Sequence, residues 1–177
     1  MPRNIEMKAR ISAVEDLLPR ALALADGPAQ SIAQDDTFFH VPQGRLKLRE
    51  FEDGSAELIH YDRPDQGQAK ASDYVRVPTP DPAALREALA RGLGVRGRVR
   101  KQRLLLLVGT TRIHLDRVER LGDFLELEVV LQEGQSDAQG MALAEGLMHA
   151  LDLDGAPRLA GAYLDLLAVC TNQQPEK

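Results

Sequence analysis

In the segment Arg45-Leu46-Lys47-Leu48-Arg49 a cation stands at every second residue, with leucines between. Side chains alternate across a β-strand, so this is a strand with one apolar and one cationic face. The pattern recurs: Glu6/Lys8/Arg10, Tyr61/Arg63, Lys101/Arg103, Arg112/His114/Asp116 and Glu126/Glu128 each stack ionisable or polar groups on one strand face. For any single strand, a solvated outer face accounts for this. For all of them together a second arrangement competes, in which an antiparallel sheet closes into a barrel and the charged face becomes its lumen. Such a lumen needs a counter-anion, because like charges repel strongly away from bulk water. Polyphosphate suits it: guanidinium forks bind phosphate oxygens bidentately, and ammonium groups add point charge.

The carboxylates extend the argument. Glu126 and Glu128 stand two apart on one strand and point to the same side, and Glu6 joins them if its strand faces inward. Carboxylates beside a polyphosphate suit Mg²⁺ or Mn²⁺, hard ions that take oxygen ligands and bridge to phosphates. Simple pairing with cross-strand Arg or Lys explains the same spacing, and the spacing leaves both readings open.

The pattern predicts strands at residues 4–11, 36–40, 45–51, 57–63, 73–77, 99–108, 111–118 and 124–131. Ser12-Ala13-Val14-Glu15 spells a capping box opening a helix to about Ala25, and Gly27-Pro28 ends it. Asp81-Pro82 opens a second helix that closes at Gly92 or Gly94, and these glycines with Gly97 read as a helix end and connector. Ser136-Asp137-Ala138-Gln139 is another capping box, for a helix to about Leu151, and a last helix covers roughly residues 159–169. Strands grouped in runs, without strict strand–helix alternation, indicate an α+β fold with a mainly antiparallel sheet. The polar segment Arg63 to Lys70 suits a loop, and Thr171 to Lys177 reads as a disordered tail after one domain over residues 1–170.

Composition narrows the class. With 44% apolar and 28% charged residues in 177, the chain has the balance of a soluble globule. The longest apolar run, Leu104 to Val108, is far below the ~20 residues of a membrane helix, and Met1-Pro2-Arg3-Asn4 opens no apolar signal segment. The lone Cys170 excludes an internal disulfide and fits a reducing compartment, so a cytoplasmic location is expected. A net charge of −5 with seven aromatics and no tryptophan argues against a nucleic-acid partner. His40, His60, His114 and His149 have no zinc-ligand spacing, although His114 belongs to a charged strand face.

Taken in order, the charged motifs resemble the CYTH superfamily, which includes class IV adenylyl cyclases, thiamine triphosphatases and inorganic triphosphatases. Asn4-Ile5-Glu6-Met7-Lys8 is similar to the family's opening E-x-E-x-K. Gln34 to Phe39 followed by Gly44 to Glu50 resembles its next block, and Lys101-Gln102-Arg103, Arg112 to Asp116 and Gly122 to Glu128 resemble its later strands. The resemblance implies a closed or nearly closed eight-stranded antiparallel barrel, a triphosphate tunnel, with helices packed outside. It implies phosphate binding by Lys8, Arg45, Lys47, Arg49, Tyr61, Arg63, Lys101, Arg103 and Arg112. It also implies Mg²⁺ or Mn²⁺ on Glu6, Glu126 and Glu128, and a catalytic set of Lys8, Arg112 and Asp116. Tyr74 and Arg76 fall in the middle region with Tyr61 and Arg63. Two departures stand out: Asn4 replaces the first glutamate of the motif, and Ile59 stands where many members have lysine. The implied partner is a small-molecule triphosphate, with no membrane and with room for a homodimer. Three functions follow: a cyclase forming cyclic AMP and pyrophosphate from ATP, a triphosphatase, or a polyphosphate-binding protein without turnover. A structural domain with solvated charged faces is the fourth.

Overall fold

Where apolar residues fall at every second place, one strand face can be buried and the other cannot, and the fold is built on that division. The computed structural model describes residues 3–62 and 73–172. In chain order these form β1 (Arg3–Arg10), α1 (Val14–Leu24), β2 (Gln30–Phe39), β3 (Arg45–Phe51), β4 (Ala56–Asp62) and β5 (Asp73–Pro78). Then come α2 (Pro82–Leu93), β6 (Val95–Val108), β7 (Thr111–Val118), β8 (Gly122–Leu131), α3 (Asp137–Ala150) and α4 (Tyr163–Asn172). The eight strands make one sheet in the order β1-β8-β7-β6-β2-β3-β4-β5, each neighbouring pair antiparallel. The long β6 joins the two halves, pairing with β2 through residues 95–105 and with β7 through residues 101–108. The sheet curls until its edge strands β1 and β5 line one cavity, although among the described residues they are not hydrogen-bonded to each other. The result is a barrel open along one seam. Among the described residues, no helix is long and apolar enough to cross a membrane.

The apolar strand faces point outward, under helices. Ile5, Met7 and Ala9 of β1, Leu115 of β7 and Leu127 of β8 bury against Val14, Leu17 and Ala21 of α1 and Ala144 and Met148 of α3. Phe39, Leu48 and Ala56 pack beneath Leu85 and Leu89 of α2. Helix α4 behaves differently. Its Tyr163, Leu164 and Leu167 meet Phe38, Val99 and Phe124, which share strand faces with Asp36, Lys101 and Glu126. Helix α4 therefore packs on the inner wall and stops one end of the barrel. Gly97 permits this approach, since a Cβ there would lie 2.6 Å from Leu164 Cδ1.

Several local expectations change. No capping box forms at Ser12: Ala13 is the N-cap of α1 with no side-chain bond, and Asp123 of β8 accepts from the Val14 N–H at 2.8 Å. The freed Glu15 pairs with Arg117 at 2.7 Å. Ser136 does form its box, accepting from Gln139 N–H while Gln139 Oε1 accepts from Ser136 N–H. Asp81 caps α2 through Ala84 N–H at 3.0 Å, and the helix stops before Gly94, which holds φ at +78°. Strand β2 begins at Gln30 rather than 36 and β6 at Val95 rather than 99, so Gly97 lies in a strand and not in a connector. A strand extends where a neighbour's backbone satisfies its hydrogen-bonding groups, and the pairing of β2 with β6 supplies both extensions. Helix α4 starts at Tyr163, after a turn docked on β1 through the Leu159 N–H to Lys8 C=O bond, and it includes Thr171 and Asn172 of the expected tail. Arg63 with the segment to Lys70, and residues 173–177, lie outside the described residues.

Candidate active site

The even-numbered faces of the first and last strands and their counterparts elsewhere line a cavity of about 470 Å³. Lys8, Lys47, Arg49, Arg76, Lys101, Arg103 and Arg112 supply seven cations, and Glu6, Asp36, Glu126 and Glu128 four carboxylates. The wall is thus three charges positive inside a chain whose net charge is −5. Counting the fully buried Asp116 behind it still leaves a surplus of two.

Each carboxylate organises a group of cations. Asp36, 3% exposed on β2, accepts from Lys47 Nζ at 2.8 Å and from Arg49 Nε and Nη2 at 2.7 Å each. Burial alone would raise its pKa, but Lys47 and Arg49 outweigh this and hold it far below the usual carboxylate range. Asp116 accepts from Arg103 Nε and Nη2, both at 2.6 Å, and from the Tyr163 hydroxyl at 2.8 Å. Lys101 Nζ stands 3.9 Å from the same carboxylate. Glu126 sits among Lys8 at 3.3 Å, His114 at 3.4 Å and Arg103 at 3.7 Å. Burial would raise its pKa too, and Lys8, His114 and Arg103 hold it well below the ordinary value.

Two of the lysines show the cost of crowding. Burial, then repulsion from Arg103, brings Lys101 down to about 7, with Asp116 and Asp36 only partly opposing. Lys47 falls to about 8, again chiefly through burial, against the pull of Asp36. The guanidiniums of Arg49 and Arg103 stay charged, because their bidentate carboxylate partners exceed the desolvation penalty. A cavity in which amines lose protons for want of counter-charge is one that an anion relieves.

The residues singled out from sequence distribute as follows. Lys8, Lys47, Arg49, Tyr61, Lys101, Arg103, Arg112, Glu6, Glu126 and Glu128 all line the cavity. Arg45 does not: its guanidinium donates to Asp165 of α4 at 2.7 Å, on the stopped end of the barrel. Asp116 is likewise not on the lining but completely buried beneath Arg103 and Tyr163. Arg63 lies outside the described residues. Tyr74 and Arg76 reach the cavity from β5, Arg76 held by Glu57. Asp36 and Tyr163 were not singled out. The alternation of β2 places Asp36 opposite Arg49 and so could have found it, whereas nothing local marks Tyr163.

The donor chemistry at the Arg112 end fits a hard divalent cation. Glu6 and Glu128 are directly opposed across β1 and β8, and Glu126 follows on the same face. Asn4 donates to Glu128 at 2.7 Å, and Arg112 approaches the same carboxylate at 3.1 Å. The three glutamates share a wall rather than one point: among the described residues, no three acidic, histidine or cysteine side chains are gathered as a metal centre.

The sequence model of the CYTH domain matches residues 2–158. No curated protein matches the chain. Among solved structures, the PH1012 protein of Pyrococcus horikoshii is 24% identical, with a TM-score of 0.81, over 92% of this chain and 98% of its own. A candidate adenylate cyclase of Vibrio parahaemolyticus is 20% identical, with a TM-score of 0.74, over 94% and 98%. A candidate adenylyl cyclase of Hippeastrum, HpAC1, described as having a dominant triphosphatase activity, is 15% identical, with a TM-score of 0.68, over 99% and 98%. These structures share the curled eight-stranded sheet.

Proposed function

The chain belongs to the CYTH domain family, and from that premise we propose that it is a divalent-metal-dependent enzyme acting on a triphosphate held in the barrel. The observation that carries this reading is the inward cation lattice: Lys8, Lys101 and Arg103, all buried, with the largely buried Lys47 and Arg49 on the same cavity, in surplus over their carboxylates. Nothing smaller than a polyanion neutralises so many inward cations at once.

Chemistry then follows from charge. Phosphoryl and nucleotidyl transfer leave charge spread over phosphate oxygens, and fixed donors aimed at those oxygens stabilise it without reorganising. Arg49 and Arg103 are fixed donors because Asp36 and Asp116 lock their Nε edges. Asp116 is in this reading a positioning residue, since Arg103 and Tyr163 cover it. Arg112, with 47% of its side chain exposed, marks the end that remains open to solvent. Glu6 and Glu128, with Glu126, are the residues that would hold Mg²⁺ or Mn²⁺, which when bound adds positive charge beside the phosphates.

Both the cyclase and the triphosphatase reaction break a phosphoanhydride bond, and the site described serves either. The neighbours of this fold carry both names, as a candidate adenylate cyclase and as a candidate cyclase with a dominant triphosphatase activity. Incubation with ATP or tripolyphosphate and Mn²⁺ or Mg²⁺ separates the outcomes. Cyclic AMP with pyrophosphate identifies a cyclase and orthophosphate a triphosphatase, and Glu128→Gln should reduce either turnover while tripolyphosphate binding persists. Saturable binding without any product overturns the enzyme, and absence of binding overturns the tunnel.

A further inference from the structure

Tyr163, the first residue of α4, touches three charged groups at once, two on the cavity wall and one buried behind it. Lys8 Nζ lies 4.1 Å above its ring centroid and Lys101 Nζ 5.2 Å from it, both within range of a cation–π interaction. Its hydroxyl donates to Asp116 at 2.8 Å, and its ring leans on Phe124 at a centroid distance of 5.0 Å. The ring is 6% exposed and lines the cavity. The turn before it adds another tie, with Lys8 Nζ donating to the Gly161 carbonyl at 3.4 Å. That turn is fastened to β1 by the Leu159 N–H to Lys8 C=O bond and the bridge between Ala9 and Arg158.

Lys8 and Lys101 come from strands that are not neighbours in the sheet, and both are 8% exposed. Lys8 has a carboxylate at 3.3 Å, but the nearest ion pair of Lys101 is stretched to 3.9 Å. The electron-rich π system of one aromatic ring attracts both ammonium groups and ties them to one side chain of α4. We propose that Tyr163 is a positioning residue of the anion site, an aromatic anchor through which α4 sets the placement of Lys8 and Lys101. The proposal rests on the tunnel reading above and adds to it a residue from beyond the matched family segment, which ends at residue 158. A phosphate group of the bound polyanion then meets two lysine side chains prearranged at the stopped end of the barrel, in place of two mobile ones.

The test must separate the ring's electrons from its volume. Replacing Tyr163 by phenylalanine, and then by phenylalanines of increasing ring fluorination through unnatural amino-acid incorporation, keeps the shape and drains the π face stepwise. Tripolyphosphate affinity, measured by calorimetry at fixed pH and salt, should fall with each fluorine. The total should reach roughly tenfold between Tyr163→Phe and its trifluorinated counterpart. The unliganded thermal midpoint, followed in the same proteins, reports separately what the ring's packing and its ammonium contacts contribute to the fold without ligand. A flat affinity series with wild-type binding intact overturns the role of Tyr163 alone, even if Tyr163→Leu binds poorly through loss of packing. Failure of the unaltered protein to bind tripolyphosphate overturns the tunnel reading and this proposal with it.

Discussion

Lys101 sits in the cavity wall beside the Arg103 guanidinium, and its amine titrates near pH 7 instead of the ordinary 10.5. Between those values the unfolded chain holds a proton that the folded one has released, so this group makes stability rise with pH from about 7 to 10.5. Below about 7 both states are charged, and the folded state carries the full penalty of a buried ammonium. Lys47, at about 8, contributes in the same sense over the narrower interval above that value. A polyanion inverts the preference, because beside phosphate oxygens the ammonium is the favoured form. Binding of tripolyphosphate at pH 8 is therefore expected to draw protons from solution, and affinity should decline as pH rises further. Calorimetry in two buffers of different ionisation heat measures that uptake directly. Lys101→Arg, whose guanidinium cannot release its proton, should reduce the uptake to the share of Lys47. Zero uptake in the unaltered protein means that these amines are already charged without ligand.

At the level of the element, helix starts separate what is local from what is not. Ser136 and Gln139 satisfy each other's backbone partners within four residues, so the box reads directly from sequence. The similar-looking Ser12 and Glu15 do not, because Asp123, 109 positions away, accepts from Val14 N–H, and Arg117 engages Glu15. Ser136→Ala should thus cost about 1 kcal/mol, whereas Ser12→Ala should leave stability unchanged within experimental error. Asp123→Ala should weaken α1 by an amount comparable to the loss of a cap. Urea midpoints at constant m-value check all three, and a Ser12→Ala cost equal to that of Ser136→Ala contradicts the assigned caps. The same division governs what was legible elsewhere. Strand faces could be read because alternation is a local property, and it brought Lys47, Arg49, Lys101, Arg103, Glu126 and Glu128 onto one cavity. Arg45 follows the same alternation yet turns to Asp165, 120 residues later, because α4 occupies its end of the barrel. Tyr163 and the burial of Asp116 depend on that packing too, and no pattern within a single element encodes it.

Considered whole, the molecule keeps a surplus of positive charge inside although its net charge is −5, so its exterior is more acidic than the total, the reverse of a protein that binds polyanions on its surface. An acidic exterior slows the approach of an anion, so selectivity must come from the cavity, where water is scarce and each charge counts for more. Repulsion among the inner cations is a cost of the native state alone, since the unfolded chain disperses them into solvent. A ligand that cancels it should act as a native-state binder, stabilising by RT ln(1 + [L]/Kd), or about 2.7 kcal/mol at a hundredfold excess over Kd. For a chain of this size that corresponds to a rise in Tm of roughly 5–10 °C. Sulfate at the same ionic strength screens exposed pairs such as Arg98–Asp35 and Arg100–Glu119, but one small anion carries too little charge to offset several cavity cations at once. Tripolyphosphate carries several charges on one chain, so its shift should exceed that of sulfate at every matched ionic strength and should saturate with concentration. Arg49→Ala should reduce the saturating shift, and it should leave the small response to sulfate as it was. Equal, unsaturating shifts with the two anions would mean that the cavity cations feel only the ionic atmosphere, and that the barrel is not a polyphosphate site.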